Sequence, residues 1–125
     1  MARLRIKTRR DFLKALRRTP AGREANLDSY NLDDPDREGA EYGLWHALLE
    51  LTHDRIAARD WEGFRSLAEI YDGVERAGKR AEMWETSWVA FIEDLNLPES
   101  PRDRREFWRH APPAFTGAVR RDRGI

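Results

Sequence analysis

The chain has 125 residues, the size of one domain, and its five Trp and five Phe give it apolar bulk for a core although 37% of the residues are charged. It has no Cys, which excludes disulfides, thiolate metal ligands and a cysteine nucleophile. The formal net charge of zero hides a segregation: residues 1–23 carry nine Lys or Arg against one acid, 24–100 carry seven against nineteen, and 101–125 carry seven against three.

Residues 1–18 form the basic segment, with Arg3, Arg5, Lys7, Arg9, Arg10, Lys14, Arg17 and Arg18. Within it Leu4 to Lys7 read as a short extended arm or as an earlier start of the helix that follows. Thr8 is placed to cap that helix, with Asp11 three residues on, and Phe12, Leu13, Ala15 and Leu16 give it one apolar edge. It is expected to stop near Arg18, because Pro20 and Gly22 follow. Residues 19–34 then read as an acidic loop, with Leu27, Tyr30 and Leu32 available to pin it down.

The helical core is expected over 35–121. A second helix should open at Pro35 behind a cap at Asp34 and run to about Ala58, with two apolar faces that mark it as central. A third, capped by Asp60 and ended by Gly78, repeats apolar residues at Trp61, Phe64, Leu67, Ala68, Tyr71 and Val74. A fourth is expected from about Arg80 to Leu95, with Trp84, Trp88, Phe91, Ile92 and Leu95 on one face. Ser100 and Pro101 start a short fifth, and Phe115 and Val119 offer an inward edge for a last turn or two. Short connections between helices two, three and four imply antiparallel neighbours. The expected fold is all-α: a single compact bundle of five to six antiparallel helices, helical-repeat-like in geometry, though no repeat recurs at a fixed period.

Three constellations carry possible chemistry. His46, Glu50 and His53 stand at i, i+4 and i+7 on one stripe, residue types that suit a transition metal and a metal-dependent enzyme. The two imidazoles are nevertheless about 10 Å apart along the axis, and a solvated polar stripe between two apolar faces is the better explanation. Asp34, Asp36, Glu38 and Gly39 imitate the opening of a calcium loop, but its twelfth position is Trp45, and Pro35 assigns these acids to a helix start. The basic residues 3–18 suit the phosphates of a nucleic acid or a membrane surface, unless they pack on the acidic body and neutralise it. No glycine-rich phosphate loop and no serine nucleophile motif occurs; no cofactor is implied and no enzyme is expected.

Five Trp exceed what so small a domain needs, and Trp45 and Trp108 are expected to be the exposed ones, since Trp61, Trp84 and Trp88 follow core spacing. No stretch reaches the ~20 apolar residues of a membrane span, and the first residues hold no uninterrupted apolar block of the signal-peptide kind. A cytoplasmic setting is expected.

The stretch with Trp61, Phe64, Leu67, Ala68 and Glu69, then Val89, Phe91, Ile92, Glu93, Asp94 and Leu95, resembles a group of small bacterial all-helical proteins, some of them immunity-protein-like. The resemblance covers about a quarter of the chain and transfers no catalytic residue. It implies a bacterial, cytoplasmic, protein-binding module. Its contacts with a basic partner would be Asp33, Asp34, Asp36, Trp45, Asp60, Glu62, Glu69, Asp72 and Glu75. The alternative is a nucleic-acid-associated protein using the basic amino terminus.

Overall fold

Local caps start most of the helices. In the computed structural model, which describes residues 4–30, 32 and 35–125, Thr8 and Asp11 form a reciprocal capping box at the start of α1 (Arg9–Arg18). Thr19 accepts from the Gly22 amide and opens α2 (Pro20–Glu24), with Pro20 in the first turn. Asp60 and Ser100 do the same for α4 (Trp61–Ala77) and α6 (Pro101–His110). Between them, α3 (Arg37–Ala57) starts two residues later than Pro35 suggests, with Asp36 at its N-cap position. The short α5 (Trp84–Ser87) and the final α7 (Pro113–Arg123) bring the described residues to seven α-helices. Among the described residues there is no strand.

Residues 19–34 are not a simple loop. Beyond α2 they contain a 3₁₀ turn, Leu27–Tyr30. Each piece depends on a glycine that lets backbones meet. A Cβ on Gly22 would lie 1.9 Å from the Leu16 carbonyl oxygen, and one on Gly43 would lie 2.1 Å from that of Tyr30. Gly43 thus seats the 3₁₀ turn directly on α3.

Helix α3 is central, touching α1, the 3₁₀ turn, α4, α5 and the segment after α5. Its two expected apolar faces merge into one. At 100° per residue, Ala47, Ala40, Leu51, Leu44, Leu48, Glu41, Thr52 and Trp45 follow one another around an arc of about 160°, and all eight are buried. Tyr42, Leu49 and Ile56 flank the arc, packed against the core but partly exposed. Trp45, expected at the surface, is therefore inside. Its ring meets Phe12 of α1 edge-on at 4.9 Å and lies 5.7 Å from both Tyr71 and Phe91.

The expected helix from Arg80 to Leu95 is broken at both ends. Residues 79–83 turn instead, because Glu82 is held by the amino-terminal arm: its amide donates to the Lys7 carbonyl at 2.9 Å, and its carboxylate accepts from the Arg9 amide at 2.8 Å. After α5 the chain makes a turn of π-helix, Trp88–Ile92, in which the Glu93 amide reaches back five residues to Trp88. Ala90, Phe91 and Ile92 are buried, whereas Trp84 and Trp88 are only half-buried and Val89 is exposed. Arg123 of α7 closes the segment by donating to the carbonyls of Ile92 and Leu95.

Helix α7 has no cap of its own, since its N-cap residue is Pro112. Asp72 of α4 supplies one from across the core. Its carboxylate accepts from the amides of Ala114 at 2.7 Å and Phe115 at 3.1 Å, and from Arg76 Nε at 2.7 Å. Asp72 is 2% exposed, so its removal leaves buried donors unpaired. Asp72→Ala should cost about 3 kcal/mol of unfolding free energy and Asp72→Asn, which keeps an acceptor, about 1 kcal/mol. Urea unfolding of the two variants measures both.

Candidate functional site

The expected acidic contact set does not form one surface. Trp45 and Asp72 are corrections: both lie in the interior, Trp45 because α3 is buried over a wide arc and Asp72 because it caps α7. Asp60 is occupied as the cap of α4 and in an ion pair with Arg55 at 3.1 Å. Glu75 accepts from the Tyr71 hydroxyl at 2.7 Å; burial, then this carboxylate, pushes the phenol's pKa upward. Asp36 stands at the α3 N-cap position, and Asp33 and Asp34 lie outside the described residues. Glu62 and Glu69 remain as exposed acids. Glu62 has the His110 imidazole 4.0 Å away.

The stripe His46, Glu50, His53 is pulled apart by separate partners. Glu50 accepts a short hydrogen bond from the Tyr30 hydroxyl, and His53 Nε2 accepts from the Asn96 amide at 3.0 Å. Among the described residues, no three His, Asp or Glu side chains converge as a metal site requires. Trp108, expected to be exposed, is half-buried, with the Arg120 guanidinium 5.1 Å above its ring.

The basic amino terminus shows a different pattern. Residues 4–7 are an extended arm laid on α4: the Ile6 amide donates to the Gly73 carbonyl at 3.1 Å, and Ile6 is 2% exposed. Gly73 makes this possible, since a Cβ there would come within 2.8 Å of the Ile6 side chain. Backbone and apolar contacts therefore seat the arm, and α1 follows through buried Phe12 and Leu16. The charges are not neutralised in the process. Among the described residues only Arg9 finds a carboxylate, Glu82, at 3.5 Å. Arg3 lies outside the described residues. Arg5, Lys7, Arg10, Lys14, Arg17 and Arg18 are all exposed, and none has an ion pair among the described residues.

Helical phase gathers four of these cations. Arg17, Arg10, Lys14 and Arg18 fall within an arc of about 100° on the side of α1 opposite Phe12 and Leu16. Lys14 and Arg18 join Arg5 on the walls of a groove of about 360 Å³ between the arm, α1, the start of α2 and α4. Ile6, Ala15 and Ile70 line it with apolar surface, and Ser66 adds a hydroxyl. Two acids also line it. Asp11 is engaged by the amides of Lys7 and Thr8, whereas Glu69 has no hydrogen bond or ion pair among the described residues.

This groove gathers three of the exposed cations that the fold leaves without an ion pair among the described residues. Some carboxy-terminal arginines are engaged: Arg104 bonds the Pro98 carbonyl, Arg123 those of Ile92 and Leu95, and Arg109 pairs with Glu106, whereas Arg102 and Arg105 are exposed with no ion pair among the described residues. The helical phase of Arg10, Lys14, Arg17 and Arg18 is the sequence signal that these cations share a face. The groove itself depends on the arm's docking, for which Gly73 is the only local sign. Comparison with protein-family models, curated proteins and solved structures finds no match for this chain.

One titrating contact in the stripe is open to measurement. Burial lowers the His53 pKa below 6.5, outweighing the neighbouring Asp54 carboxylate, so the folded state favours the neutral imidazole that accepts from Asn96. The unfolded chain then binds more protons as pH falls through 6.5. This contribution to stability is complete above that value and is lost toward the lower folded-state pKa. His53→Gln, which keeps an acceptor without titrating, should flatten that part of the pH dependence in melting-temperature scans from neutral to mildly acidic pH.

Proposed function

We propose that the protein is a non-enzymatic binding module that takes a nucleic acid on the cationic face of α1 and the adjoining groove. The observation that supports this is the set of six exposed cations, Arg5, Lys7, Arg10, Lys14, Arg17 and Arg18, left without carboxylate partners among the described residues on a firmly seated arm and helix. Arg10 to Arg18 extend over about 12 Å of helix axis. That length reaches about three phosphates of one strand at ~3.4 Å rise. Protein binding through the acidic middle has less support, because Asp60, Asp72 and Glu75 are engaged internally.

The module is read as a single antiparallel bundle in a bacterial cytoplasm. The three residues between α3 and α4 support the antiparallel arrangement. Among the described residues no helix is long and apolar enough to cross a membrane. Kinship with immunity-like helical proteins is part of this proposal only as far as the Trp61–Leu95 resemblance carries it.

Fluorescence anisotropy with labelled single-stranded and duplex oligonucleotides tests the reading. Affinity should fall steeply with salt, and the combined variant Lys14→Gln, Arg17→Gln, Arg18→Gln should lower the log–log slope by about 0.7–0.9 for each phosphate no longer neutralised. Glu69→Gln removes the unpartnered acid from the groove and should tighten binding about twofold to fivefold. Absence of binding at low ionic strength, or binding indifferent to all these substitutions, would refute the proposal.

A further inference from the structure

A second cleft, of about 380 Å³, lies between the 3₁₀ turn and the first half of α3. It exists because Gly43 admits the Tyr30 carbonyl at a distance no side chain would allow. Tyr30, Tyr42, His46 and Glu50 line it, and among the described residues no Lys or Arg does. The rings of Tyr42 and His46 are 6.4 Å apart between centroids.

Among the described residues Glu50 is the only carboxylate on this lining. One of its oxygens accepts from the Tyr30 hydroxyl, which fixes the side chain without neutralising it. No ion pair to Glu50 exists among the described residues. The charge is felt by its neighbour: burial, the bond to Glu50 and the fields of Glu50 and Asp54 push the Tyr30 phenol up to about 12. Two anions therefore act on this end of the cleft, and the chain's nearby cations are committed elsewhere, Arg37 to Glu41 and Arg55 to Glu24 and Asp60.

Aromatic walls around an unpaired carboxylate recognise one chemistry. We propose that this cleft binds a guanidinium or alkylammonium group, with Glu50 as the charge partner and the faces of Tyr30 and Tyr42 as the cation–π surround. Glu50 is exposed, so a neutral ligand would gain nothing from its charge, whereas an anion would be repelled by it and a cation drawn to it. The source of the group is either an arginine or lysine side chain of a partner protein or a free small amine. The inference does not rest on the nucleic-acid reading, since it uses neither the arm nor α1.

The test is an amide-resolved NMR titration of the whole protein with N-acetylarginine amide, n-butylammonium and, as the uncharged isostere, N-acetylcitrulline amide. Shifts centred on Tyr30, Gly39, Gly43 and His46 with the two cations, and none with citrulline, are expected. Glu50→Gln keeps an acceptor for Tyr30 and should weaken binding at least about tenfold. Tyr42→Leu should weaken it about threefold, with the spectrum elsewhere unchanged in both variants. A short Arg-containing peptide separates the sources: tighter binding than the free amide assigns a partner's side chain, and equal binding assigns a small amine. Equal shifts with citrulline, no shifts at these amides, or unaltered affinity in Glu50→Gln would overturn the proposal.

Discussion

Trp45 is the junction on which the arrangement of helices depends. From it a continuous run of ring contacts passes outward: to Phe12 of α1 in one direction, and in the other to Tyr71 of α4 and Phe91 of the π turn, which stack at 5.3 Å. Phe115 of α7 lies 5.8 Å from Tyr71 and 5.8 Å from Phe64, and Phe64 lies 4.8 Å from Phe107 of α6. Five helices and the π turn are thus joined by one connected aromatic interior. Offset and edge-on aromatic pairs add about 0.5–1.5 kcal/mol each beyond the area they bury, and they hold specific angles. The indole also needs a partner for its N–H. Thr86 supplies it at 2.9 Å and itself donates to Glu41, whose carboxylate accepts from Arg37. The polar chain and the aromatic run therefore fix α3 against α5 at one residue.

The same economy of buried polar groups explains how the charges are distributed. Burying a carboxylate is tolerable only where donors surround it, and Glu41 and Asp72 meet that condition with side-chain and backbone donors. Among the described residues no buried side-chain nitrogen or oxygen lacks a hydrogen-bond partner. Part of the acidic middle is consumed as caps and internal acceptors, at Asp60, Asp72, Glu75 and Glu82. The basic amino terminus is not, because backbone hydrogen bonds and Ile6, Phe12 and Leu16 seat it. A segregation that looked self-neutralising in the sequence therefore ends, among the described residues, with the acids divided, Glu41, Asp60, Asp72 and Glu82 engaged and Glu38, Glu69, Glu85 and Glu93 exposed, and with most of the amino-terminal cations free of ion pairs.

What the sequence revealed follows from the range of each interaction. Caps act within three residues, so Thr8, Asp60 and Ser100 were legible, as were the ends at Arg18 and Gly78. The all-helical class followed from periodicity. Part of what was misread was also present in the helical phase: Asp72 and Glu75 fall beside Ala68 and Phe64 on α4, while Glu62 and Glu69 fall a quarter turn or more away. Trp45 likewise adjoins Thr52, Glu41 and Leu48 in phase, and only a division of α3 into two faces placed it outside. The π turn was not legible; the Ile92 carbonyl at its end is bonded by Arg123 arriving from α7, a contact no local pattern shows. Nor was the cleft beside Tyr30, which depends on the 3₁₀ turn meeting Gly43.

The docking of the arm also bears on how the cationic face could work. An arm held by its charges would have to exchange internal ion pairs for external ones before it could engage a polyanion, and the net gain would shrink accordingly. Here the arm's fixed points are backbone groups, the Ile6 amide, the Lys7 carbonyl and the Arg9 amide, together with buried apolar side chains, and not the charged ends of its Lys and Arg side chains. Among the described residues only the Arg9 to Glu82 pair stands between an arm cation and an outside anion, and with both side chains 39% exposed it is a weak one. The geometry of the backbone and the freedom of the side chains are thus decoupled. A surface of this kind is organised before its partner arrives, which lowers the ordering cost of binding.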